Sequence, residues 1–511
     1  MKNLEQSKKM NYSTMSPIMN EHAPALVVML PIIGAVLIML IRHNNLNWGI
    51  ALLSGISTIY YSIILYLNAR SVGTISYAMG GWEPPVGIEY RIDEFNSLLI
   101  ALIATVSFLI LVYAKSSLNI ELKKNKISTF YSMYLLCLGG LIGILSTGDA
   151  FNAFVFLEIS SLATYVIISM GNDRRGLLAA YQYLIIGTIG ATLYVIGVGL
   201  IFIITGSLNL YDISVKLGDI ELYRPLLASL AFITVGIALK IALFPLHAWL
   251  PNAYAFAPSV GTAFLASTAT KVAIYLLIKY LYLVYGFDLV YSNQIFIFVV
   301  LSLSIIAMFG ASMIAIFQSN LKKLFAYSSV AQIGYITLGI GIANYNGLIG
   351  STVHIINHSI IKAAIFLAIG CLVFSSKIVN IDQLAGLGKR MPMVAVCITV
   401  SSLSLIGVPG TVGFISKWYL VLGSLEQGLW VVVFALAVSS ILALIYVGRI
   451  IELIWFHAPV GGMVSQNKIP FEMIAVTVVM TIATIYFGID TRLTGDLAKI
   501  AVENVLLGEQ L

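Results

Sequence analysis

Runs of about twenty apolar residues recur along almost the whole of this chain, and that length lets a helix cross a membrane. Within a bilayer each backbone polar group must be paired inside the protein, so such runs fold as helices. The 511 residues are 59% hydrophobic and 10% charged, whereas soluble domains carry about 25% charged residues. The sequence therefore predicts an all-α integral membrane protein that crosses the bilayer many times.

Counting the apolar runs predicts about fourteen spans. They begin near residues 25, 47, 94, 129, 150, 177, 225, 259, 293, 322, 346, 391, 428 and 470. A polar tail, 1–24, precedes helices 1–3 in 25–128, and helix 14 with a C-terminal tail occupies 458–511. The first apolar run is long for a signal-peptide core and lacks a clear cleavage site, so it is predicted to stay as a transmembrane helix.

Lysine and arginine are concentrated in the loops that join odd-numbered to even-numbered spans. Those loops hold Arg42, Lys115, Lys123, Lys124, Lys126, Arg174, Arg175, Lys322, Lys323, Lys377, Lys389, Arg390, Arg449 and Lys468. The opposite loops hold only Arg70, Arg91, Lys216 and Arg224. Basic loops face the cytoplasm, so both termini are expected outside, in the plasma membrane of a prokaryote. The net charge of +6 is spread over these loops and indicates topology, with no nucleic-acid partner.

The sequence carries no recognisable cofactor motif. Cys137, Cys371 and Cys397 lie singly in apolar segments, without the spacing of a zinc or iron–sulfur site. A phosphate loop and a dinucleotide fingerprint are also missing. We therefore expect no cofactor, no metal site and no catalytic residue, so that an ion gradient or a redox partner must supply the energy.

Charged residues inside the apolar runs are the main functional signal. A charge at bilayer depth costs about 2.5–3.5 kcal/mol on insertion scales, so a group of them indicates a polar pathway. The buried charges are Glu158, Lys240, Lys271, Lys279, Lys362 and Lys417. Lys279 comes late in its span, where a lysine can also extend to the membrane surface.

Proline and glycine interrupt two apolar segments, 240–252 and 406–418, and each segment carries a lysine close to a proline. In secondary transporters, paired broken helices in the two halves of an inverted repeat surround the ion site. The sequence therefore predicts two inverted five-helix repeats with broken helices, at 129–284 and 293–457.

Several motifs carry a resemblance to a known family. They are FNAFVFLEISSLATY around Glu158, ALKIALFPLHAWLPNAYAFAPS from Ala238, TKVAIYLLIK around Lys271, QSNLKKLFAYSSVAQIGY from Gln318, HIINHSIIKAAIFLAIG from His354, and GVPGTVGFISKW ending at Trp418. Between about Phe95 and Trp455 the chain resembles the proton-conducting antiporter-like subunits of complex I, Mrp-type sodium/proton antiporters and membrane-bound hydrogenases. The segment GGWEPPVGI looks more like the D-type Mrp subunit and its hydrogenase and sulfane-reductase relatives. The chain departs from the family pattern at Asn252, Tyr254 and Asn320.

The resemblance implies a proton pathway through buried side chains. Glu158 and Lys240 would form an ion pair that controls the protonation state of the lysine. Burial disfavours the charged form of Lys240, and a nearby carboxylate favours it. Lys240 would pass a proton to Lys271, His354 would bridge the centre, and Lys417 would release it. His247 would line the access route. His358 and Lys362 continue the helix face of His354.

Other interpretations of these residues stay open at this point. Glu158 could be only a structural counter-ion, and His247 could pack at a helix end. His354 and His358 could be hydrogen-bonded core residues or haem ligands. The chain could be a stand-alone carrier whose lysines bind an organic anion, or a quinone-binding redox subunit. The spread of lysines along several spans favours a pathway, with other membrane subunits as partners and any sodium moving through them.

Overall fold

The computed structural model describes residues 20–41, 43–218, 224–292, 294–459 and 467–506. Most of the predicted polar tail, residues 1–19, lies outside the described residues, as do Arg42 and the end of the predicted C-terminal tail.

The elements up to the middle of the chain are α1 Ala23–Ile41, α2 Asn44–Val72, β1 Ile75–Ala78, β2 Glu89–Ile92, α3 Glu94–Glu121, α4 Lys124–Ser146, α5 Ala150–Ser169, α6 Arg175–Thr205, α7 Leu210–Gly218, α8 Arg224–Ile241, α9 Trp249–Phe256, α10 Ser259–Ser267 and α11 Ala269–Ile278. The remaining helices are α12 Phe287–Ser292, α13 Gln294–Ile316, α14 Leu321–Ile342, α15 Tyr345–Ser376, α16 Leu387–Arg390, α17 Pro392–Ile406, α18 Val412–Glu426, α19 Trp430–Phe456, α20 Phe471–Ile489 and α21 Leu497–Leu506.

The described residues contain 13 helices that are long and apolar enough to cross a membrane, with α17 as a shorter apolar helix. One of these spans, Ser259–Val284, combines α10, α11 and the π-helical turn Lys279–Val284. The prediction of an all-α membrane protein with about fourteen spans is therefore confirmed. Each predicted start lies within a few residues of a helix start in the structure.

The helices are interrupted in both segments, 240–252 and 406–418, in which glycine and proline indicate a break. The chain leaves helical geometry after α8 and resumes it at α9, with Ala242 in the left-handed region (φ 62°). Between α17 and α18, Gly407 (φ 91°) and Gly410 (φ 83°) adopt the positive φ that glycine tolerates. A third break, at Thr268, separates α10 from α11. The division into two inverted repeats, 129–284 and 293–457, stays a prediction, although each segment contains a break.

Burial is concentrated in the centre of the bundle. Almost all residues of α14, α15 and the span Ser259–Val284 are buried, whereas α1, α6, α13 and α19 expose much apolar surface. Exposed apolar side chains suit a lipid-facing surface, where lipid tails replace water as the solvent. The central helices are those that carry most of the buried lysines and histidines.

The two ends of the bundle differ in charge. One end of the bundle is formed by the α3–α4 turn, the α5–α6 turn, the α9–α10 junction and the start of α14. We call it the basic end, because these elements hold Lys123, Lys124, Lys126, Arg174, Arg175, Lys322 and Lys323. Strands β1 and β2 pair antiparallel at the opposite end, with Ile75 opposite Ile92. Glu89 on β2 is buried and accepts hydrogen bonds from Ser76 Oγ and Asn209 Nδ2. The hairpin therefore closes the less basic end.

Small residues let α6 and α8 approach closely. A Cβ atom at Gly236 would lie 2.7 Å from the carbonyl oxygen of Gly190 and 2.7 Å from the backbone nitrogen of Tyr194. Both neighbours are backbone atoms and cannot rotate away. Close backbone contact through glycine is a common way for membrane helices to associate. In contrast, a Cβ at Gly199 on α6 would meet nothing within 4 Å.

Replacing Gly236 with alanine should destabilise the protein by about 1–3 kcal/mol, because the added methyl group overpacks the α6–α8 interface. The matched substitution Gly199→Ala should be neutral or slightly stabilising, since alanine favours helix over glycine. Thermal inactivation of the purified proteins measures both effects. Equal thermal stability of the two variants would contradict this packing.

Candidate functional site

The predicted ion pair is present between α5 and α8. Lys240 is buried, and its Nζ lies 3.1 Å from Glu158 Oε1 and 2.7 Å from Ser161 Oγ. Glu158 is less enclosed, with 24% of its side chain exposed. The partners come from one helical turn of α5, because Glu158 and Ser161 are three residues apart. The ammonium therefore has one charged and one neutral acceptor.

A small cavity adjoins Lys240. Its volume is about 20 Å³, sufficient for one water molecule. The hydroxyl groups of Ser161 and Thr164 line one side, and Ala269 and Ala273 on α11 line another. The cavity thus connects the Glu158–Lys240 pair with the helix that carries Lys271.

The break at Thr268 creates the environment of Lys271. At the end of α10, three consecutive carbonyl groups each accept a hydrogen bond from a side chain, and the first of them, Leu265 O, also accepts from the backbone nitrogen of Thr268. Tyr254 Oη donates to Leu265 O, Lys271 Nζ to Ala266 O, and Ser359 Oγ to Ser267 O. The C-terminal end of α10 carries the negative end of its dipole, which favours a cation there. Lys271 is therefore held, almost fully buried, by the broken helix itself.

Lys362 on α15 is held in a similar way by α14. Its Nζ donates to Phe325 O at 2.8 Å and to Ser328 Oγ at 2.5 Å. The side chain is fully buried. Lys271 and Lys362 lie within electrostatic range of each other, with no bridging acid among the interactions described. Two like charges in a low-dielectric site repel strongly, so charging one lysine disfavours charging the other.

His354 lies in the centre and connects three helices. Its Nε2 is 2.8 Å from Gln332 Oε1 on α14, and its Nδ1 is 2.6 Å from Ser416 Oγ on α18. The amide nitrogen of Gln332 donates to Leu405 O, which leaves Oε1 as the acceptor for the imidazole. This set of contacts fits a neutral ring that carries its proton on Nε2 and accepts from Ser416.

His358 extends the chain of polar groups one turn along α15. Its ring stacks on that of His354, with centroids 5.9 Å apart. It is fully buried, and neither ring nitrogen has a hydrogen-bond partner among the described residues. Lys271, Lys362 and His354 all lie within electrostatic range of it. His358 therefore joins the two lysines to the central histidine.

Lys417 ends the series beside the second break. Its Nζ donates to Ile406 O at 2.7 Å and to Ser440 Oγ at 3.0 Å. Ile406 is the last residue of α17, so its carbonyl is free because the helix stops there. The ammonium also lies 4.4 Å from the ring centroid of Tyr335, a cation–π contact. Lys417 directly follows Ser416, the partner of His354.

Two sequence-predicted residues occupy other positions. His247 lies in the break after α8, where its ring stacks on Phe244 at 4.9 Å and contacts the edge of Tyr327. It forms no hydrogen bond to the lysines in the part of the chain that the structure describes. Lys279 is buried, and its Nζ donates to Thr147 O at 2.9 Å. The ammonium is thus enclosed by protein at the C-terminal end of α4, whereas the snorkelling interpretation expected an exposed side chain.

Two groups of buried polar side chains emerge. Glu158 pairs with Lys240, and the small cavity lies between this pair and the helix of Lys271. The second group comprises Lys271, Lys362, His358, His354 and Lys417, which lie within electrostatic range of one another from neighbour to neighbour. We call these seven residues the polar file. The sequence analysis missed three neutral groups that hold the file, namely Ser161, Gln332 and Ser416. Gln332 offered a signal, because a glutamine in the middle of an apolar helix needs a partner.

Comparison with known proteins identifies the family. The family described as NADH:quinone oxidoreductase/Mrp antiporter, TM, matches residues 147–443. That segment contains every member of the polar file and both predicted breaks. The chain belongs to this family of antiporter-like membrane subunits, which confirms the resemblance seen in the sequence and does not favour the organic-anion carrier.

Named relatives come from both branches of the family. The chain is 36% identical to the N subunit of the NADH-quinone oxidoreductase of Desulforudis audaxviator over 92% of this chain and 96% of the relative. It is 31% identical to the D-type subunit of the Na(+)/H(+) antiporter of Alkalihalophilus pseudofirmus over 81% and 83%. A chain of the archaeal membrane-bound sulfane sulfur reductase shares 28% identity and superposes with a TM-score of 0.87, covering 94% of this chain and 97% of that chain. The parent complex of this chain therefore stays a prediction.

High-resolution electron microscopy of the protein in its membrane complex should show ordered water within hydrogen-bonding distance of His358. Buried polar groups in native proteins find a partner, and both nitrogens of this ring lack one in the described protein. Water is the partner that the surrounding lysines and serines can also bind. A dry, apolar surrounding for both nitrogens in such a map would contradict the prediction.

Proposed function

We propose that this chain is the proton-translocating subunit of a multisubunit membrane complex, and that the polar file carries the proton. The observation that supports this most strongly is the number of buried, neighbouring titratable side chains in the interior, from Glu158 on α5 to Lys417 on α18. A binding site for one organic anion would gather its cations around a pocket. The buried lysines of this chain are instead distributed over α8, α11, α15 and α18, which favours a relay over a single binding pocket.

The ion pair at one end can control the charge of the first lysine. Burial destabilises the ammonium of Lys240, and the carboxylate of Glu158 stabilises it. Because Glu158 is partly exposed, a charge on a neighbouring subunit could draw the carboxylate away. Lys240 would then release its proton toward the cavity and Lys271. The membrane potential supplies about 2.3 kcal/mol per charge per 100 mV, which is comparable to the cost of one buried charge.

Repulsion between neighbouring lysines favours onward transfer. When Lys271 becomes charged, the charged form of Lys362 is disfavoured, so that two neighbouring sites are not filled together. His358 and His354 lie between these lysines and Lys417. A histidine relays protons well, because its two ring nitrogens can accept on one side and donate on the other.

Membrane partners and topology follow from the same proposal. The subunit would sit in the plasma membrane of a prokaryote, with the basic end toward the cytoplasm and both termini outside. Other membrane subunits would supply the driving reaction, either sodium/proton antiport or redox chemistry. Sodium prefers several oxygen ligands, and a lysine-lined interior provides few of them, so sodium would move through a partner subunit. His247 would line the access route to Lys240.

Replacing Lys240 with alanine should lower proton flux through the intact parent complex at least tenfold, because the first proton carrier is lost. Flux is measured in sealed vesicles, after native electrophoresis shows that the complex still assembles. The control is Lys389→Ala, which removes an exposed lysine on α16, outside the polar file. Normal flux in the assembled Lys240→Ala complex would exclude the lysine relay.

Lys417→Arg provides an independent test at the other end of the file. Arginine keeps the positive charge but does not give up its proton under physiological conditions. Flux should therefore be lost although the charge is retained. Retained flux would mean that Lys417 acts only through its charge.

A further inference from the structure

Lys322 is a buried lysine at the basic end that does not belong to the polar file. The sequence suggested that Lys322 lies in a loop, but the structure places it in the first turn of α14, where it is 4% exposed. Its Nζ donates to Ala257 O at 3.1 Å. An ammonium has three N–H donors, and Ala257 O is the one acceptor found for it in the described part of the chain. The adjacent Lys323 is only partly buried.

A carboxylate stands close to this lysine. Glu121, at the end of α3, accepts from Ser117 Oγ at 2.8 Å and from the backbone nitrogen of Ser259 at 2.8 Å. It also lies within electrostatic range of Lys322. A carboxylate at the N-terminus of α10 stabilises that helix. Capping accounts for Glu121 alone, but it does not explain why a lysine is buried beside it.

Glu121 and Lys322 both line a large cavity at the basic end. Its volume is about 380 Å³, and Asn172, Ala257 and Asn320 also line it. Exposed residues on the α5–α6 turn form part of its rim, so the cavity opens to the surface. Water can therefore reach the two charged side chains from the basic end.

Helix α14 links the lining of this cavity to the polar file. Three residues beyond Lys322, the carbonyl of Phe325 accepts from Lys362 Nζ, and Ser328 one turn further accepts from it as well. Three residues of α-helix rise about 4.5 Å. Lys322 thus lies about one turn of α14 from the group that holds Lys362.

We propose that this cavity is a second proton access site, at which Glu121 and Lys322 exchange protons between solvent and Lys362. The inference rests on the proposed function of the polar file. The carboxylate of Glu121 takes a proton from water at the basic end. Lys322 passes its own proton to the neutral amine of Lys362 and is reprotonated by the carboxylic acid of Glu121. The file then has an access point at its middle as well as at the Glu158–Lys240 pair.

Four variants of the full-length chain in the intact complex test this inference. Glu121→Gln and Lys322→Gln should each lower proton flux in sealed vesicles at least tenfold. Lys322→Arg should do the same, because guanidinium retains its proton. Lys323→Gln is the matched control and should behave as the unaltered protein. Glutamine keeps an oxygen that can accept from Ser259, so capping of α10 is preserved in Glu121→Gln.

A fifth variant separates proton transfer from a structural role. Lys322→His should recover part of the flux that Lys322→Gln loses, with a pH dependence near the ordinary histidine pKa of about 6.5. The other charged groups facing the cavity are Glu121, Asp173, Arg175 and Lys377. Those groups are the same in both variants, so a difference between them reports on residue 322.

The results distinguish this inference from the proposed function. Normal flux in assembled Glu121→Gln or Lys322→Arg complexes, with Lys240→Ala inactive, would overturn the second access site and leave the polar file intact. A Lys322→His complex no more active than Lys322→Gln would also overturn it. Normal flux in Lys240→Ala itself would instead remove the proposed function.

Discussion

The arrangement of the interior depends on main-chain carbonyl groups that broken helices leave free. An uninterrupted helix uses its carbonyls for its own backbone hydrogen bonds, so a cation meets an acceptor that is already occupied, as Lys362 does at Phe325 O. Where α10 ends, Ala266 O accepts from Lys271, and where α17 ends, Ile406 O accepts from Lys417. Both lysines are thereby held at membrane depth without a carboxylate. A neutral acceptor stabilises an ammonium less than an acid does, so these lysines can also exist uncharged.

The single acid of the polar file makes the file asymmetric. Glu158 pairs with Lys240, whereas Lys271, Lys362 and Lys417 are held by carbonyl and hydroxyl oxygens. Charge in the file is thus most strongly stabilised at the end where Glu158 reaches the protein surface. A neighbouring subunit that contacts this surface would act on the strongest electrostatic interaction of the file. Under the proposed function, this is the point at which chemistry elsewhere in a complex would act on the chain.

Much of the fold was visible in the sequence, because apolar length and glycine–proline breaks are local signals. The breaks near Pro245 and at Gly407 were predicted from those residues, and the Glu158–Lys240 pair was predicted from the family resemblance. The contacts of His354 were not predictable, since Gln332 and Ser416 lie 22 and 62 residues away in the chain. Lys322 was assigned to a loop, and an exposed position was left open for Lys279, because hydropathy locates the end of a span only within several residues. Burial of these two lysines depends on tertiary packing, which no local pattern encodes.

His354 lies between Lys271 and Lys362 on one side and Lys417 on the other. Replacing it tests most directly whether protons pass between these lysines. The measurement is proton flux by the intact complex that carries His354→Leu, with the exposed His457→Leu as the control. Leucine fills the site but can neither accept nor donate a proton. A continuous file predicts that flux is lost while assembly and the Glu158–Lys240 pair remain. Unchanged flux in the assembled His354→Leu complex would show that protons do not cross the centre of this subunit.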